Sequence, residues 1–537
     1  MSKVVFSPPT SWGDKGGSGC CDVKSTLPIS PSRGREVAIS PRSRGDKRGV
    51  VCFRRAPGQT RGLSLPSLHF SGGIKGGFFL LISALLFSGC APRMALMQAV
   101  RTDISSSQFE KAYQFYAKKV AKTERVDELL NLGLLAFEAG DYATSFRALS
   151  DAERLAEERL TKSLSREAAA LVVSDVVSAY QGTVFDKAML HYYRGLGFLA
   201  QRNLESATVE GRAIAQYLEV NARESKRTYK DDGFLQWFSG SLYDAYGQAN
   251  DAWISYKRAR AIYDSGYYAL REPSFLCPVT LAAVRRVGHS ESETELESEC
   301  PAAAESLHSD WGRVIVLCEV GLAPPILEEN VLLPIYKNDP HHFAGDDERD
   351  RFAHDLALRR GHDYQYGSDV TFDYFLRVAL PFYSSDYVGS GVAQVVVKDT
   401  SGREIPAELA QNIGAILRQD LSDRESAILV RAITRALIKY AATKAAESAG
   451  NRHNEALGRV LGAMVNVAGV ATESADTRSW ETLPDRIYAA DFELPPGTHS
   501  LRAVLQDDLG GALFRHDFDP IEVKAGEVIF LRARCMR

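Results

Sequence analysis

The chain has 537 residues, of which 45% are hydrophobic and 25% charged, a composition typical of a globular protein with two or three domains. Its formal net charge of −4 hides an asymmetry, because residues 1–89 carry 13 Lys and Arg against 4 Asp and Glu. Residues 90–537 therefore hold 51 basic and 64 acidic residues. Nucleic-acid binding depends on neutralising phosphates with Lys and Arg, so the acidic body of the chain disfavours a nucleic-acid partner.

Residues 1–73 show no lasting apolar periodicity and are rich in Ser, Gly, Pro and Arg, as in ISPSRGREVAISPRSRGDKRG. Two interpretations stay open for them. They are either a disordered basic tail or an extension upstream of the true start of translation. We favour the second, because the next segment has the pattern of an export signal, which normally stands at the start of a chain.

Residues 74–89 are predicted to form a lipoprotein signal peptide. Lys75 precedes the ten apolar residues FFLLISALLF, which match a signal-peptide core of about 7–15 residues and fall short of the about 20 that span a membrane. The end, LLFSGC, resembles the bacterial lipobox, with Phe87 where Leu is usual. We therefore expect Cys90 to become the first mature residue and to carry lipid. Ala91 follows in place of Asp, and the analogy with enteric lipoproteins implies a protein held on the outer membrane and facing the periplasm. The alternative is a buried core segment with an incidental cysteine.

Residues 90–286 are predicted to form an all-α array of helical hairpins. In VDELLNLGLLAFEAGDYATSFRALSDAERLAEE, apolar residues recur at helical spacing on either side of Gly140-Asp141, as two helices and a turn require. The small residues, beginning with Gly133, resemble those of a tetratricopeptide repeat. The pattern recurs 62 and 45 residues later, at Gly195 and Gly240, which indicates three degenerate repeats. A generic helical bundle with coincidental glycines is the alternative.

A stacked array of this kind leaves a concave surface that commonly binds peptides or proteins. Aromatic side chains at helical spacing either line such a surface or pack in the core, and core packing is their commoner use. The candidates for partner binding on these helices are Tyr192, Tyr193, Trp237, Tyr243, Tyr246 and Trp253.

Residues 287–308, VGHSESETELESECPAAAESLH, are acidic and rich in turn formers, and they predict an exposed linker. Four cysteines remain after Cys90, and an oxidising periplasm permits three pairings of them. The disulfide that we expect first is Cys277–Cys300, which would close a modest loop across the linker. The spacing is not that of a zinc site, and we predict neither a metal nor a cofactor.

Residues 309–537 are predicted to form an α+β domain with mostly antiparallel strands. RVIVLCEVG is apolar and β-branched, as a buried strand is. A long helix follows in the middle of the domain, where Ser422 and Glu425 resemble a capping box and Gly450 ends the pattern. Further strands are indicated by TFDYFLRVALPFY, GVAQVVVKDTSG, RIYAADFEL, THSLRAVLQDD and EVIFLRARC.

Several of these segments together resemble a family of bacterial tetratricopeptide-repeat-containing outer-membrane lipoproteins over about 100–537. They are the lipobox, the repeats, RVIVLCEVGLAP, RAITRALIK, ADTRSWETLPDRI and LPPGTHSL. The resemblance implies an association with lipoprotein activators of penicillin-binding proteins, and so with peptidoglycan synthesis. In DTRSW, Arg478 and Trp480 are either anchors for a partner or structural residues, with Trp480 filling the junction of helices and sheet.

No catalytic motif stands out, because the sequence lacks HExxH, GxSxG, a phosphate-binding loop and a GxGxxG that opens a helix. Asp339, His341 and His342 are more simply solvated loop residues than metal ligands. We therefore expect a non-enzymatic, lipid-anchored scaffold or adaptor that binds an envelope protein or peptide. The alternatives are an enzyme or enzyme subunit that acts on cell-wall material through the C-terminal domain, and a structural component of a secretion or surface-polymer assembly.

Overall fold

The computed structural model describes residues 90–163, 180–225, 231–266, 268, 270–301, 308, 310–336, 346–358, 372–384, 391–451 and 474–536. The predicted upstream extension and signal peptide, residues 1–73 and 74–89, lie outside these ranges, as do Asp339, His341 and His342. Cys90 is the first residue of the first described helix. None of the described helices combines the length and the apolar character needed to cross a membrane.

In the described residues the chain opens with helices that pack on one another in chain order, as the predicted hairpin array requires. The contacts run from α1 to α2, on through each successive pair, and finish with α9 on α10. These helices are α1 (Cys90–Ser105), α2 (Phe109–Lys119), α3 (Val126–Glu138), α4 (Tyr142–Ser163), α5 (Val184–Ala200), α6 (Leu204–Ser225), α7 (Gly233–Tyr246), α8 (Ala249–Asp264), α9 (Leu276–Val287) and α10 (Ser290–Glu299).

Close approach between the two helices of a hairpin explains the repeated glycine. A Cβ added at Gly133 would lie 2.6 Å from Leu149, and one added at Gly240 would lie 2.6 Å from Tyr256. In both hairpins the large residue stands sixteen positions after the glycine. The middle hairpin differs, because position 211 is also glycine, and a Cβ at Gly195 would have its nearest contact at an ordinary 3.5 Å.

A strand-rich region follows the helices. Its strands and helices are β1 (Gly312–Val320), β2 (Ile326–Tyr336), α11 (Asp346–Leu358), β3 (Phe372–Tyr383), β4 (Gln394–Asp399), β5 (Glu404–Asn412), α12 (Ile413–Asn451), β6 (Arg486–Leu494), β7 (Gly497–His499), β8 (Leu501–Gln506), β9 (Ala512–Asp517), β10 (Ile521–Val523) and β11 (Val528–Cys535).

The main sheet has the order β11-β1-β6-β5-β4-β8-β9, and it curls so that β9 also contacts β11. The prediction of mostly antiparallel strands needs a correction, because the sheet is mixed. The last strand, β11, pairs in parallel with the first, β1, in a register that sets Arg313 opposite Val528 and Val320 opposite Cys535. A parallel pair requires a long crossover connection, and here nearly the whole region lies between its two members.

Both faces of β1 and β11 are buried, and alternation divides their side chains between two cores. Ile315, Leu317 and Phe530 join the helices in one large core that continues from the array into the sheet. Val316 and Leu531 point the other way, into the interior of the curled sheet. The predicted boundary between a helical domain and an α+β domain is therefore bridged by a continuous core, and residues 90–536 fall in one compact unit.

The long helix α12 begins at Ile413, nine residues before the predicted cap at Ser422. Its first turns pack in the large core through Ile413, Ile416 and Leu417. Farther along, Ile433 and Leu437 pack against the two-stranded sheet of β2 and β3. The helix therefore connects the main body to a separate hairpin with its own small core.

The acidic segment predicted as an exposed linker contains a helix, α10, and most of its described residues are exposed. Leu296 of α10 is buried against Leu281 and Val284 of α9. Arg285 pairs with Glu293 at 3.2 Å and with Glu297 at 2.7 Å, which neutralises part of the acidic run. A disulfide joins Cys277 to Cys300, with the two Cα atoms 6.4 Å apart, and fastens the end of α10 to the start of α9.

Replacing Gly240 with Ala should lower the free energy of unfolding by about 1–3 kcal/mol, the usual cost of overpacking a core. The new methyl group would meet the ring of Tyr256, which is fixed because its hydroxyl accepts a hydrogen bond from Arg313 at 2.7 Å. Gly195→Ala is the matched control, since its methyl group has room and a helix favours Ala over Gly by about 0.5–1 kcal/mol. Urea denaturation measures both, and equal destabilisation of the two variants would contradict the proposed packing.

Candidate functional site

A buried charged cluster joins the helical array to the sheet. Glu319 of β1 is 0% exposed and points toward the helices. Its carboxylate accepts hydrogen bonds from the hydroxyls of Tyr192 at 2.9 Å and Tyr193 at 3.1 Å, both on α5. From β11, the guanidinium groups of Arg532 and Arg534 donate to the same carboxylate at 2.6 Å and 3.3 Å. One carboxylate thus receives donors from a helix and from the neighbouring strand.

A second carboxylate completes the cluster. Glu138, the last residue of α3, receives two hydrogen bonds from Arg532, one of them at 3.1 Å between Nη1 and Oε2. Such two-pronged contacts are the strongest that an arginine makes with a carboxylate. The guanidinium of Arg532 also lies over the ring of Phe137, 4.8 Å from its centroid. Arg532 therefore links β11 to α3 as firmly as Glu319 links β1 to α5.

Charge balance makes this burial tolerable. Burial by itself would raise the pKa of Glu319, but the neighbouring Arg532 and Arg534 outweigh that effect and hold its pKa below the ordinary value. Glu319 is therefore ionised at neutral pH, and two carboxylates face two guanidinium groups. A buried set of this kind adds little net stability as a whole, but removing one member leaves an uncompensated buried charge.

A second polar cluster stands at the other end of β1. Arg313 donates from Nε to Asp491 of β6 at 2.7 Å and from Nη1 to Asp244 of α7 at 2.8 Å. Two of the remaining donors reach the hydroxyls of Tyr256 at 2.7 Å and Ser241 at 3.1 Å, and the last reaches the second oxygen of Asp491. Every donor of the guanidinium is satisfied, so this cluster is a rigid floor and has no hydrogen-bonding capacity left for a ligand.

Above that floor lies a groove of about 1170 Å³, which we call the junction groove. It is open between α7 and α9 on one side and the ends of β1, β6 and β11 on the other. Both charged and aromatic side chains line it: Asp244, Tyr246, Arg285, Arg286, His308, Trp311, Arg313, Arg403, Asp491, Phe492, Glu493 and Glu527. The helices and the sheet must both be in place to form it.

Aromatic rings give the junction groove apolar surface. His308 stacks on Trp311, with the ring centroids 3.8 Å apart and the planes 8° from parallel. Tyr246, at the end of α7, is 45% exposed. Because Tyr and Trp supply large contact areas at little cost in conformational entropy, a surface of this composition suits a protein or peptide ligand.

The structure places most of the predicted partner-binding aromatics away from any free surface. Tyr192, Tyr193, Trp237 and Tyr243 are buried, and the first three pack where the helices meet the sheet. All four are core residues, which is the commoner of the two uses expected for them, and the chain's own sheet covers the face that the first three line. Trp253 is partly buried against His289 of the last hairpin. Tyr246 alone among the six lies in the junction groove.

Arg478 and Trp480 also make contacts within the protein. Trp480 is buried at the junction of helices and sheet, 5.9 Å from the ring of Tyr193, and its indole N–H donates to Thr482. Arg478 pairs twice with Asp476, at 2.8 Å each, and lies over the ring of Tyr180. Of the two interpretations of this motif, the structural one describes the observed contacts.

The residues that shape the two polar clusters were not singled out from the sequence. They are Glu138, Glu319, Arg532, Arg313 and Asp491. The available signal is a charged residue inside an otherwise apolar strand, as in RVIVLCEV and VIFLRARC. Buried charges are rare and nearly always paired, so such residues predict an internal ion pair. In the described ranges, no cluster of three or more His, Cys, Asp or Glu is placed to hold a metal ion.

Comparison with solved structures finds helical-repeat proteins. MamA from Desulfovibrio magneticus RS-1 is 12% identical, with 40% of this chain and 97% of that chain covered and a TM-score of 0.26. A Podosopora anserina protein with nearly identical TPR-like repeats of the kinesin light chain type is 14% identical, covering 41% and 97%, with a TM-score of 0.28. A Rap protein in complex with Competence and Sporulation Factor is 11% identical, covering 43% and 59%, with a TM-score of 0.25.

The assignment of helical hairpins in this chain rests on the contacts described above. No protein-family model matches the sequence. The search of curated proteins also gives no match.

Replacing Glu319 with Gln should lower the free energy of unfolding by about 3–5 kcal/mol, because two buried guanidinium groups would then face a single carboxylate. Asp517→Asn is a control, since Asp517 pairs with Arg502 on the exposed surface of β8 and β9. That variant should unfold like the wild type. Chemical denaturation followed by circular dichroism measures both, and a Glu319→Gln protein as stable as the control would show that the cluster does not join the two layers.

Proposed function

We propose that this protein is a non-catalytic scaffold of the bacterial cell envelope that binds a segment of a partner protein in the junction groove. The observation that carries the proposal is the groove itself, about 1170 Å³ in volume and lined by aromatic and charged side chains. Small-molecule pockets commonly enclose about 300–1,000 Å³. The groove lies just above this range and is open to solvent, and an open groove lined by aromatic and charged side chains suits a protein segment.

The location of the groove supports the same proposal. Helical arrays commonly bind partners on their concave face, but here Glu319, Phe530 and Trp480 occupy the inner side of the helices. A partner must therefore bind outside that contact. In the described part of the chain, the groove exposes parts of α7 and α9 beside the sheet, and Arg313 cross-links its floor. A rigid floor avoids the entropic cost of ordering a site on binding.

The proposed anchor is a lipid on Cys90, and its surroundings support a short, firm attachment. Cys90 begins α1. Three residues later, Arg93 pairs with Asp127 of α3 at 3.2 Å and with Glu481 at 3.3 Å. A lipid on Cys90 would thus hold the folded body close to the membrane without a flexible spacer. We propose that the protein is held on the outer membrane, facing the periplasm, and that its partner takes part in peptidoglycan synthesis, as the family resemblance implies.

Photo-crosslinking in intact cells tests the proposed binding surface. A benzophenone amino acid at Tyr246, in the groove, should give a discrete adduct with an envelope protein. Phe115 on α2 is the matched control, because it is also aromatic and is 38% exposed against 45% for Tyr246. No adduct at Tyr246, or the same adducts at both positions, would reject the groove as the binding surface.

Metabolic labelling with a fatty-acid analogue tests the anchor independently. Wild-type protein should carry the label, and Cys90→Ala should lose it. The variant should also leave the membrane fraction, because it lacks the acyl chains that anchor the protein firmly. Cys318→Ala controls for removal of a cysteine and should keep the label, since Cys318 is buried in β1. Label retained by Cys90→Ala would refute the anchor.

A further inference from the structure

We propose that the junction groove recognises a Lys or Arg side chain of the bound segment, and that the carboxylate of Glu527 is the group that binds it. This inference rests on the proposed function, because it specifies which kind of partner side chain the groove would bind. It starts from an unusual feature of Glu527. The residue is 4% exposed, and neither of its carboxylate oxygens has a hydrogen-bond partner in the described part of the chain.

The position of Glu527 is fixed by its backbone. Its N–H donates to the carbonyl of Lys524 at 3.1 Å, and its carbonyl accepts from the N–H of Arg313 at 2.8 Å. The preceding Gly526 has φ +68°, a conformation that favours glycine, and donates to the carbonyl of Trp311 at 2.9 Å. The turn before β11 is thus bonded to the start of β1, which fixes the backbone of Glu527 at the edge of the groove.

The other carboxylates of the groove are already paired. Asp244 accepts from Arg286 at 2.6 Å and from Arg313, and Asp491 accepts from Arg313 and from the indole of Trp237. Glu493 accepts from the backbone N–H of His308 at 2.9 Å. Glu527 therefore differs from its neighbours. A buried carboxylate without a partner is strongly unfavourable, and a cationic ligand would relieve that cost.

The cations of the groove have other partners. All five donors of Arg313 are used, and Arg286 is held by Asp244. Arg285 is engaged by Glu293 and Glu297 of α10. The remaining arginine, Arg403, is exposed on the β4–β5 turn, where water solvates its charge. None of these four arginines makes a hydrogen bond to the carboxylate of Glu527.

The rings of the groove suit the rest of such a side chain. Lys and Arg carry apolar stems that pack along aromatic surfaces while their charged ends reach polar partners. Trp311, Tyr246 and Phe492 line the groove together with Glu527. A cation beside these rings also gains from their electron-rich faces. The combination of buried carboxylate and aromatic walls selects a basic side chain over an acidic or a purely apolar one.

Selection from a random peptide library displayed on phage, with the full-length protein immobilised, tests the inference. Peptides retained by the wild type should share a Lys or Arg, and synthetic versions with norleucine at that position should bind at least about 30-fold more weakly, as expected for loss of one partner of a buried charge pair. Glu527→Gln should weaken binding of the basic peptides to a similar extent. Glu522→Gln, an exposed glutamate on β10 outside the groove, should leave it unchanged.

Two results would overturn the inference while leaving the scaffold proposal standing. One is retained peptides without a shared basic residue, and the other is equal binding of basic peptides by wild type and Glu527→Gln. If the wild type retains no peptide above a bare support, the groove is not a peptide site and both proposals fail. Because the norleucine peptides change only the ligand, their result holds even if Glu527→Gln folds poorly.

Discussion

One buried carboxylate, Glu319, determines how the two layers of this protein fit together. It accepts hydrogen bonds from two tyrosines of α5 and from two arginines of β11, and no water is needed to satisfy it. An ion buried in this way tolerates little displacement, because each lost contact exposes an uncompensated charge. Hydrophobic burial drives the helices onto the sheet, but burial is non-directional. The charged cluster selects one register of helix against strand.

That register has a consequence for binding. In an array with an empty concave face, Tyr192, Tyr193 and Trp237 would be natural contacts for a partner. Here they pack against the chain's own sheet, which covers the face that a partner would otherwise contact. The surface that we propose for a partner lies at the ends of β1 and β11, where the two layers separate to form the junction groove. Its shape depends on both layers, so a change in their packing would alter the groove directly.

The hairpins and most strands could be predicted from the sequence, because their signals are local. Gly133 and Gly240 mark close helix contacts through spacing alone, and the alternation in EVIFLRARC assigns its residues to two faces. The parallel pairing of β1 with β11 could not be predicted, since it joins segments about two hundred residues apart. The helix α12 begins at Ile413, although the sequence predicts a cap at Ser422. The turns before Ser422 are helical because they pack in the large core. The sequence left Tyr192 open between core packing and a partner surface for a related reason: burial depends on what covers a helix, and the helix's own periodicity does not contain that information.

The parallel pair also relates the proposed anchor to the proposed binding surface. At one end of β1 and β11, Leu322 and Met536 pack with α1 in a core that includes Met97 and Val100. At the other end, Arg313 and Val528 line the junction groove. Strands of eight or nine residues rise about 3.3 Å per residue, so the two ends lie about 26 Å apart. With lipid on Cys90, the same two strands would carry the groove away from the membrane surface on a rigid support. A partner held there would be kept at a defined distance from the membrane, which a flexible tether could not achieve.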